Sequence, residues 1–576
     1  MAAQPMTTIP TPAEAMVRIR MAMQQNNLAG ARAIAEQARK AHPGDAALAD
    51  AAGDLALKSG DVVTAIAHFA AACELAPDML DYAINHAIAL QRLNRHGEVI
   101  DALGKLEKQG RKVPRYGSVR ALSHRALGEA AEAAHWYDVV LGLEPRHPRA
   151  LHGRARVALE RGERDAVARF DAALAVNPGD ADLWLGKAQA LDVAGDTRGA
   201  RLIAQQLCDQ APGFIAALEF FSGLKLAAGE ADFTSPFRAA AAKAPQDPNI
   251  PSAHAEVFAG LDYAEQAAQV ATEARVRFPH EPHFALLEAV HAGSAGDWER
   301  ADAIFAGLQL DTPMRALHEA RHRIRAGQIE KAEGLLDRAL ANDPWDINAW
   351  ALRGMAWRVA GDARAEWLHE QAGLVQLRPL VGRDGLVDDA VSELRVLHAG
   401  SAMPLGQSLR GGTQTRGILF HRTEPLLAEL HEAIRATLEA YRGDLPALDE
   451  SHPLLRHRET PWRLEGSWSV RLTGGGSGAG DYHTAHIHPQ GIVSSAAYLV
   501  VPPAAEGPEQ FGWLEIGRPP PDLGLDLPPV RSIQPKTGHL ALFPSTLYHG
   551  TTPFGAGGGP DSERMTVAFD VVTKAR

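Results

Sequence analysis

GSWSVRLTGGGSGAGDYHTAHIHPQGIVSSAAYLVVPP, residues 466–503, decides how the last third of this chain folds. Its apolar and small polar residues alternate between glycine-rich turns, the pattern of strands covered on one face. Side chains two apart on a strand project to the same side, so His486 and His488 of H-I-H are offered to one point in space. A second stretch, GHLALFPSTLYHGTTPF, residues 538–554, ends an apolar run with His549, placed to close a three-imidazole face from another strand. Past a turn, ERMTVAFDVV alternates Arg564, Thr566 and Ala568, which sets a fixed cation near the mouth of the same site.

Around these stretches the spacing predicts short strands near residues 467–472, 493–501, 513–516, 540–543 and 565–572, separated by turn signals. One helix is expected among them, from an N-cap at Thr423 to a stop at Gly443, with Leu427, Leu430, Ile434, Leu438 and Tyr441 on one face. Runs of short strands without alternating helices point to a closed or double-sheet β fold rather than βαβ units.

Upstream the character changes. Ala, an apolar residue four on, another three later, and Pro five after that recur as Ala65, Phe69, Ala72, Pro77 and as Ala166, Phe170, Ala173, Pro178. Later copies include Ala301, Phe305, Leu308, Pro313 and Ala332, Leu336, Ala339, Pro344. Spacings of four and three make one helical stripe, and proline ends the helix it follows, so each period is a helix pair. The long gap between Pro77 and Pro145 leaves room for one degenerate copy, and Pro236 is expected to kink the array from inside a second helix. Such pairs bury their apolar faces only by stacking, which creates a concave groove.

Length excludes a single core. The 58 basic against 70 acidic residues leave a net charge of −12, so no global basic field attracts nucleic acid. The two cysteines, Cys73 and Cys208, lie far apart within the repeats and read as helix filler in a reducing compartment, not as a disulfide or thiolate site. No apolar run approaches a bilayer span and the N-terminus lacks a basic-then-apolar leader, so no membrane partner and a cytoplasmic location are expected.

The period near 34 with its glycine and tryptophan positions resembles the tetratricopeptide repeat, over some ten or eleven units. The C-terminal motifs resemble the iron(II) and 2-oxoglutarate-dependent oxygenases, within them a bacterial group that joins such repeats to a jelly-roll domain. The motifs that carry this are PLGQSLRGGTQT from Pro404, GSWSVRL, HIHPQG, SSAAYLVVPP, LFPSTLYHG and ERMTVAFDVV. Together these imply an N-terminal tail at 1–11, an all-α repeat superhelix at 12–380 and a mainly-β double-stranded β-helix domain at 381–576. They also imply Fe(II), 2-oxoglutarate and O₂ as cofactor and co-substrates.

By the resemblance, His486, His488 and His549 are the metal ligands, and Arg564 pairs with the distal carboxylate of 2-oxoglutarate. Thr566 adds a hydroxyl and Tyr498 a phenol to that carboxylate. His488 stands where most of the superfamily has Asp or Glu. Asp481 is the alternative carboxylate if a bulge resets the strand parity, whereas His483, three residues before His486, should face away. The implied activity is hydroxylation of a peptide or protein held by the repeat groove. Three other readings stay open: a three-histidine dioxygenase that does not use 2-oxoglutarate, a zinc hydrolase, and a non-catalytic scaffold. The repeats favour recruitment of a peptide or protein segment in that groove, with docking of the second domain or of a second copy of the chain, as in a homo-oligomer, as the alternative.

Overall fold

The computed structural model describes residues 10–474, 480–554 and 562–573; of the expected N-terminal tail, residues 1–9 lie outside these. The chain divides into two compact units, Met1–Gly186 and Lys187–Arg576.

The first unit is built of antiparallel helix pairs from Pro12–Gln24 onward. Alanine at the crossing points lets partner helices approach closely, and Ala65, Ala133, Ala150 and Ala166 are buried there. Gly153 shows how little space is left: a methyl in its place would run into the ring of Tyr137 from the preceding helix. The degenerate copy is visible as two pieces, His96–Gly104 and Glu107–Gly110, before the helix Pro114–Ala126. Cys73 and Cys208 are free, and burial pushes their thiols up to about 11 and about 12, as inert filler requires.

The second unit holds further helix pairs, ending with Ile347–Ala360 and Arg364–His369, followed by the sheets. Pro236 does not kink a helix from within. It stands in the first turn of Ser235–Lys243, where a missing N–H costs nothing.

Eleven strands are described: β1 Gln376–Pro379, β2 Leu409–Arg410, β3 Thr413–Gln414, β4 Trp462–Leu472, β5 Tyr482–His483, β6 Val493–Val500, β7 Leu514–Ile516, β8 Arg531–Ile533, β9 His539–Pro544, β10 His549–Thr551 and β11 Arg564–Thr573. They form a six-stranded sheet in the order β1-β9-β6-β11-β4-β3, a three-stranded sheet β10-β7-β8, and the pair β2-β5. Every pairing is antiparallel, the double-sheet arrangement of a jelly roll. β1 is already hydrogen-bonded to β9 at residues 376–379, so the sheet begins while the chain is still leaving the last helix pair.

Two helices, not one, cover the outer face of the large sheet. Pro425–Gly443 is the expected helix, with its cap at Glu424; Leu386–Ala399 was not foreseen. Ala390, Leu394, Leu430, Ile434 and Leu438 pack on Val493, Leu499, Leu540, Met565, Val567 and Phe569. Strand parity then forces the neighbours of those residues inward, toward the smaller sheet. Tyr498, Ala541 and Phe543 meet Leu514, Ile516 and Ile533 there.

The packing traps histidines without charge. Burial holds His369 near pH 3, and His398 and His452 near 4, well below the ordinary imidazole. An unfolded chain takes up these protons from about pH 6.5 downward, while the folded chain does not until about 3 to 4. The contribution of these histidines to stability is therefore complete above about pH 6.5 and is lost on acidification, by up to about 1.4 kcal/mol per pH unit for each. Calorimetric melting between pH 7.5 and 4.5 should record a falling midpoint; a flat profile would contradict the burial.

Candidate metal centre

His486 and His549 form an isolated antiparallel bridge. Each backbone N–H donates to the other's carbonyl, at 3.0 and 2.9 Å, and directly opposed residues present their side chains to the same face. Their ring centroids lie 4.3 Å apart. His488 completes the group, and one ring nitrogen from each of the three lies within 4.8 Å of the others. The convergence does not come from a regular strand, because β5 ends at His483; cross-strand hydrogen bonds at His486 set it.

The outward nitrogens have partners that fix the tautomers. His486 Nδ1 donates to the Thr484 carbonyl at 2.8 Å, and His549 Nδ1 to the Leu547 carbonyl at 3.2 Å. His488 Nδ1 donates to the carboxylate of Asp570. All three Nε2 atoms are thereby left as bare acceptors turned inward, and those of His486 and His488 are 3.0 Å apart. Burial, and then the neighbouring imidazoles, pull His486 down to about 3 and His549 well below the usual range. Trp468 stacks on His488 and the edge of Phe543 meets His549, which restricts both rings.

The three histidines line a cavity of about 480 Å³ together with Arg564, Thr566, Ala568 and Asp570. These four lie on one face of β11, and the register against β4 shifts between Ala568 and Asp570. Gly466 makes that shift: at φ 66° it takes the left-handed conformation that a bulge residue needs. Arg564 is buried, and among the described residues its Nε has no hydrogen-bond partner. Burial draws its pKa down from the ordinary guanidinium value, partly offset by the Tyr498 phenol. The guanidinium carbon sits 5.6 Å from the Tyr498 ring centroid, and the Tyr498 hydroxyl is likewise buried without a partner among the described residues. Burial raises that phenol to about 12 against the pull of Arg564, so it remains a donor.

Asp481 does not join the cluster. Its carboxylate accepts from the backbone N–H groups of Thr473 and Gly474, at 2.9 and 3.1 Å, and so holds the chain where it leaves β4. His483 departs from the parity expectation. It lines the cavity and stacks on His486, centroids 6.0 Å apart, because the chain leaves strand geometry directly after it. Asp570 was missed, although it continues the alternation of Arg564, Thr566 and Ala568 by one step.

Helices of the second unit contact the residue next to His549. Arg321, on the helix Pro313–Arg325, makes a two-pronged ion pair with Asp522 at 2.9 and 2.6 Å and donates to the hydroxyl of Tyr548, the residue before His549. Arg325 adds a contact at 3.0 Å to the same carboxylate, and Arg358 caps the carbonyls of Gly517 and Pro528. Leu523 and Tyr548 pack with Ala351 and Met355. The strand-connecting segment around residues 517–528 thus lies along these helices. Burial alone would raise the Asp522 carboxyl, but Arg321 and Arg325 hold it low. Asp522→Ala leaves two guanidinium groups uncompensated and should cost about 3 kcal/mol in denaturant unfolding; a loss below about 0.5 kcal/mol would mean that the clamp is not structural.

Residues 466–570 match the family model described as "Putative 2OG-Fe(II) oxygenase", and residues 18–79 and 164–213 match that of the tetratricopeptide repeat. The chain carries tetratricopeptide repeats and an oxygenase-family domain. All three histidines, Arg564, Thr566, Tyr498 and Asp570 fall within the oxygenase-family match. No curated protein matches the chain.

Similar solved structures are repeat proteins. A tetratricopeptide repeat protein from Parabacteroides merdae is 17% identical, covering 42% of this chain and 96% of its own, with a TM-score of 0.34. YrrB, titled a TPR protein with an unusual peptide-binding site, is 17% identical over 32% and 95%, with a TM-score of 0.29. MamA from Desulfovibrio magneticus is 10% identical over 29% and 94%, with a TM-score of 0.28. No helix among the described residues is long and apolar enough to cross a membrane.

Proposed function

We propose that this chain is an iron(II) and 2-oxoglutarate-dependent dioxygenase that hydroxylates a peptide or protein segment recruited by its repeats. One observation carries the reading. Three imidazoles, each with Nδ1 committed to an acceptor, turn bare Nε2 lone pairs toward one point, in the same cavity as a buried guanidinium whose Nε has no hydrogen-bond partner among the described residues.

The donor set fits a divalent cation. Two imidazole lone pairs 3.0 Å apart repel unless a cation lies between them. That separation is also what neighbouring ligands at right angles adopt when each is about 2.1 Å from a metal. A face of three nitrogens leaves further positions for co-substrates. Arg564 and Tyr498 fit a carboxylate: a guanidinium binds one through two parallel N–H bonds, and a buried phenol that stays protonated adds a third donor. Loaded with Fe(II), 2-oxoglutarate and O₂, the site supplies oxidative decarboxylation to succinate and CO₂, coupled to transfer of one oxygen atom into a C–H bond.

The chain's own contribution is placement. His486, His488 and His549 hold the cation, with ring orientation set by Thr484, Asp570 and Leu547. Arg564, with Thr566 beside it on the same face of β11, orients the co-substrate. A three-histidine dioxygenase or a zinc hydrolase would give the buried Arg564 Nε no acceptor, which is why those readings rank lower.

For recruitment, the first unit offers a groove of about 1100 Å³ along its first-helix faces, with Arg92, Arg115, Leu122, Tyr137, Arg149 and His152 among its walls. The corresponding helices of the second unit already carry the chain's own segment around Asp522, so the first unit is the part we assign to a foreign peptide. Anaerobic Fe(II) loading followed by 2-oxoglutarate and O₂ should release succinate, and incubation with cell extract should yield a product heavier by one oxygen. No Fe(II)-dependent succinate under these conditions would remove the reading.

A further inference from the structure

We infer that Asp570 is the residue that positions His488 for metal binding and brings a negative charge to the site through that ring. The inference rests on the metal reading given above and adds to it a residue outside the ligand set. The three rings are not held alike. His486 and His549 each donate Nδ1–H to a neutral carbonyl two residues back in the chain, so local backbone geometry sets their tautomers. His488 has no such carbonyl. It follows the irregular stretch after His483 and precedes Pro489, and its Nδ1 is met instead by the carboxylate of Asp570, 82 residues further along the chain. Among the described residues Asp570 has no other side-chain ion pair or hydrogen bond, and its side chain is 18% exposed. Its carboxylate is thus devoted to one ring, in the cavity that both residues line.

The fold delivers it there with some care. β11 alternates Val567, Phe569 and Val571 into the helix-covered core, so Asp570 emerges on the cavity face with Arg564 and Thr566. The register shift opposite, at Gly466, lets β4 continue past it. Gly491 runs directly against the Asp570 side chain, where a methyl would lie 3.2 Å from its Cβ. A carboxylate behind a ligating imidazole fixes which nitrogen is bare and makes that nitrogen a stronger donor. The site has no ligating carboxylate among the described residues, so this is how an anion reaches the metal: one ring removed. The two backbone carbonyls can set a tautomer but carry no charge to share.

The test uses the full chain, stripped of metal and titrated anaerobically with Co(II), which reports affinity and, by its visible bands, ligand geometry. Asp570→Ala should bind Co(II) about 10- to 100-fold more weakly than the unaltered protein. Asp570→Asn keeps an oxygen acceptor without the charge and should fall between the two, with bands closer to those of the unaltered protein. Wild-type affinity in the alanine variant, or a loss that asparagine does not relieve, overturns the role of Asp570. If the alanine variant does not fold, asparagine decides alone: weaker binding than in the unaltered protein supports the inference, and unaltered affinity defeats it. Unaltered protein that takes up no Co(II) defeats the metal reading itself, and is told apart because no variant is then needed.

Discussion

His549→Ala protein should bind Fe(II) at least about a hundred-fold more weakly than the unaltered chain and release no succinate above background. The size of the effect follows from the geometry. His549 is one of three inward Nε2 donors, and it alone comes from β10, across the bridge from His486. With it gone, two donors from a single irregular stretch remain, and a two-point site does not hold a labile divalent ion. The fold should survive, because the bridge is made by backbone atoms that alanine retains. Anaerobic metal analysis and succinate detection on the same sample read both quantities. Fe(II)-dependent turnover at the wild-type rate in this variant would reject the three-histidine site.

Arg564→Ala should raise the dissociation constant for 2-oxoglutarate at least about thirty-fold while leaving Fe(II) affinity within a few-fold of normal. Removing the guanidinium leaves an incoming dianion with only the neutral hydroxyls of Tyr498 and Thr566 as buried donors at its far end. Arg564→Lys should recover part of the loss, since a point charge replaces the two-pronged fork. Separating the two affinities is what gives this variant its value. A dioxygenase that ignores 2-oxoglutarate, or a zinc hydrolase, would show neither saturable 2-oxoglutarate binding nor sensitivity to residue 564. Titration of the iron-loaded protein under nitrogen checks it, and equal binding by both proteins would end the co-substrate assignment.

Much of this was readable in the chain. The repeats announce themselves because each helix pair must bury the same stripe, so Ala166, Phe170 and Ala173 carry the phase before any coordinates are seen. β11 was likewise legible, since an alternating strand covered on one face has only one register that buries Val567 and Phe569. Where the chain leaves regular geometry the reading failed. His483 was expected to face away, yet the strand stops there and parity has no meaning beyond it. Asp481 was weighed as a ligand because carboxylates near histidines invite it, but nothing in the sequence tells that two backbone amides claim it first. The helix Leu386–Ala399 was missed because its apolar residues lie near glycine-rich stretches that read as loop. The contacts of Arg321 with Asp522 and Tyr548 join residues about 200 or more apart, and no local pattern encodes such a meeting.

The clamp that Arg321, Arg325 and Arg358 place on the segment around Asp522 bears on how the chain can be dissected. Cutting where the last helix pair ends would keep β1 with the large sheet but remove Ala351 and Met355, and so bare Leu523 and Tyr548 beside the histidine face. These contacts all lie within the compact unit Lys187–Arg576, so the later repeats are to be kept with the sheets when the chain is divided, and the division falls between Gly186 and Lys187.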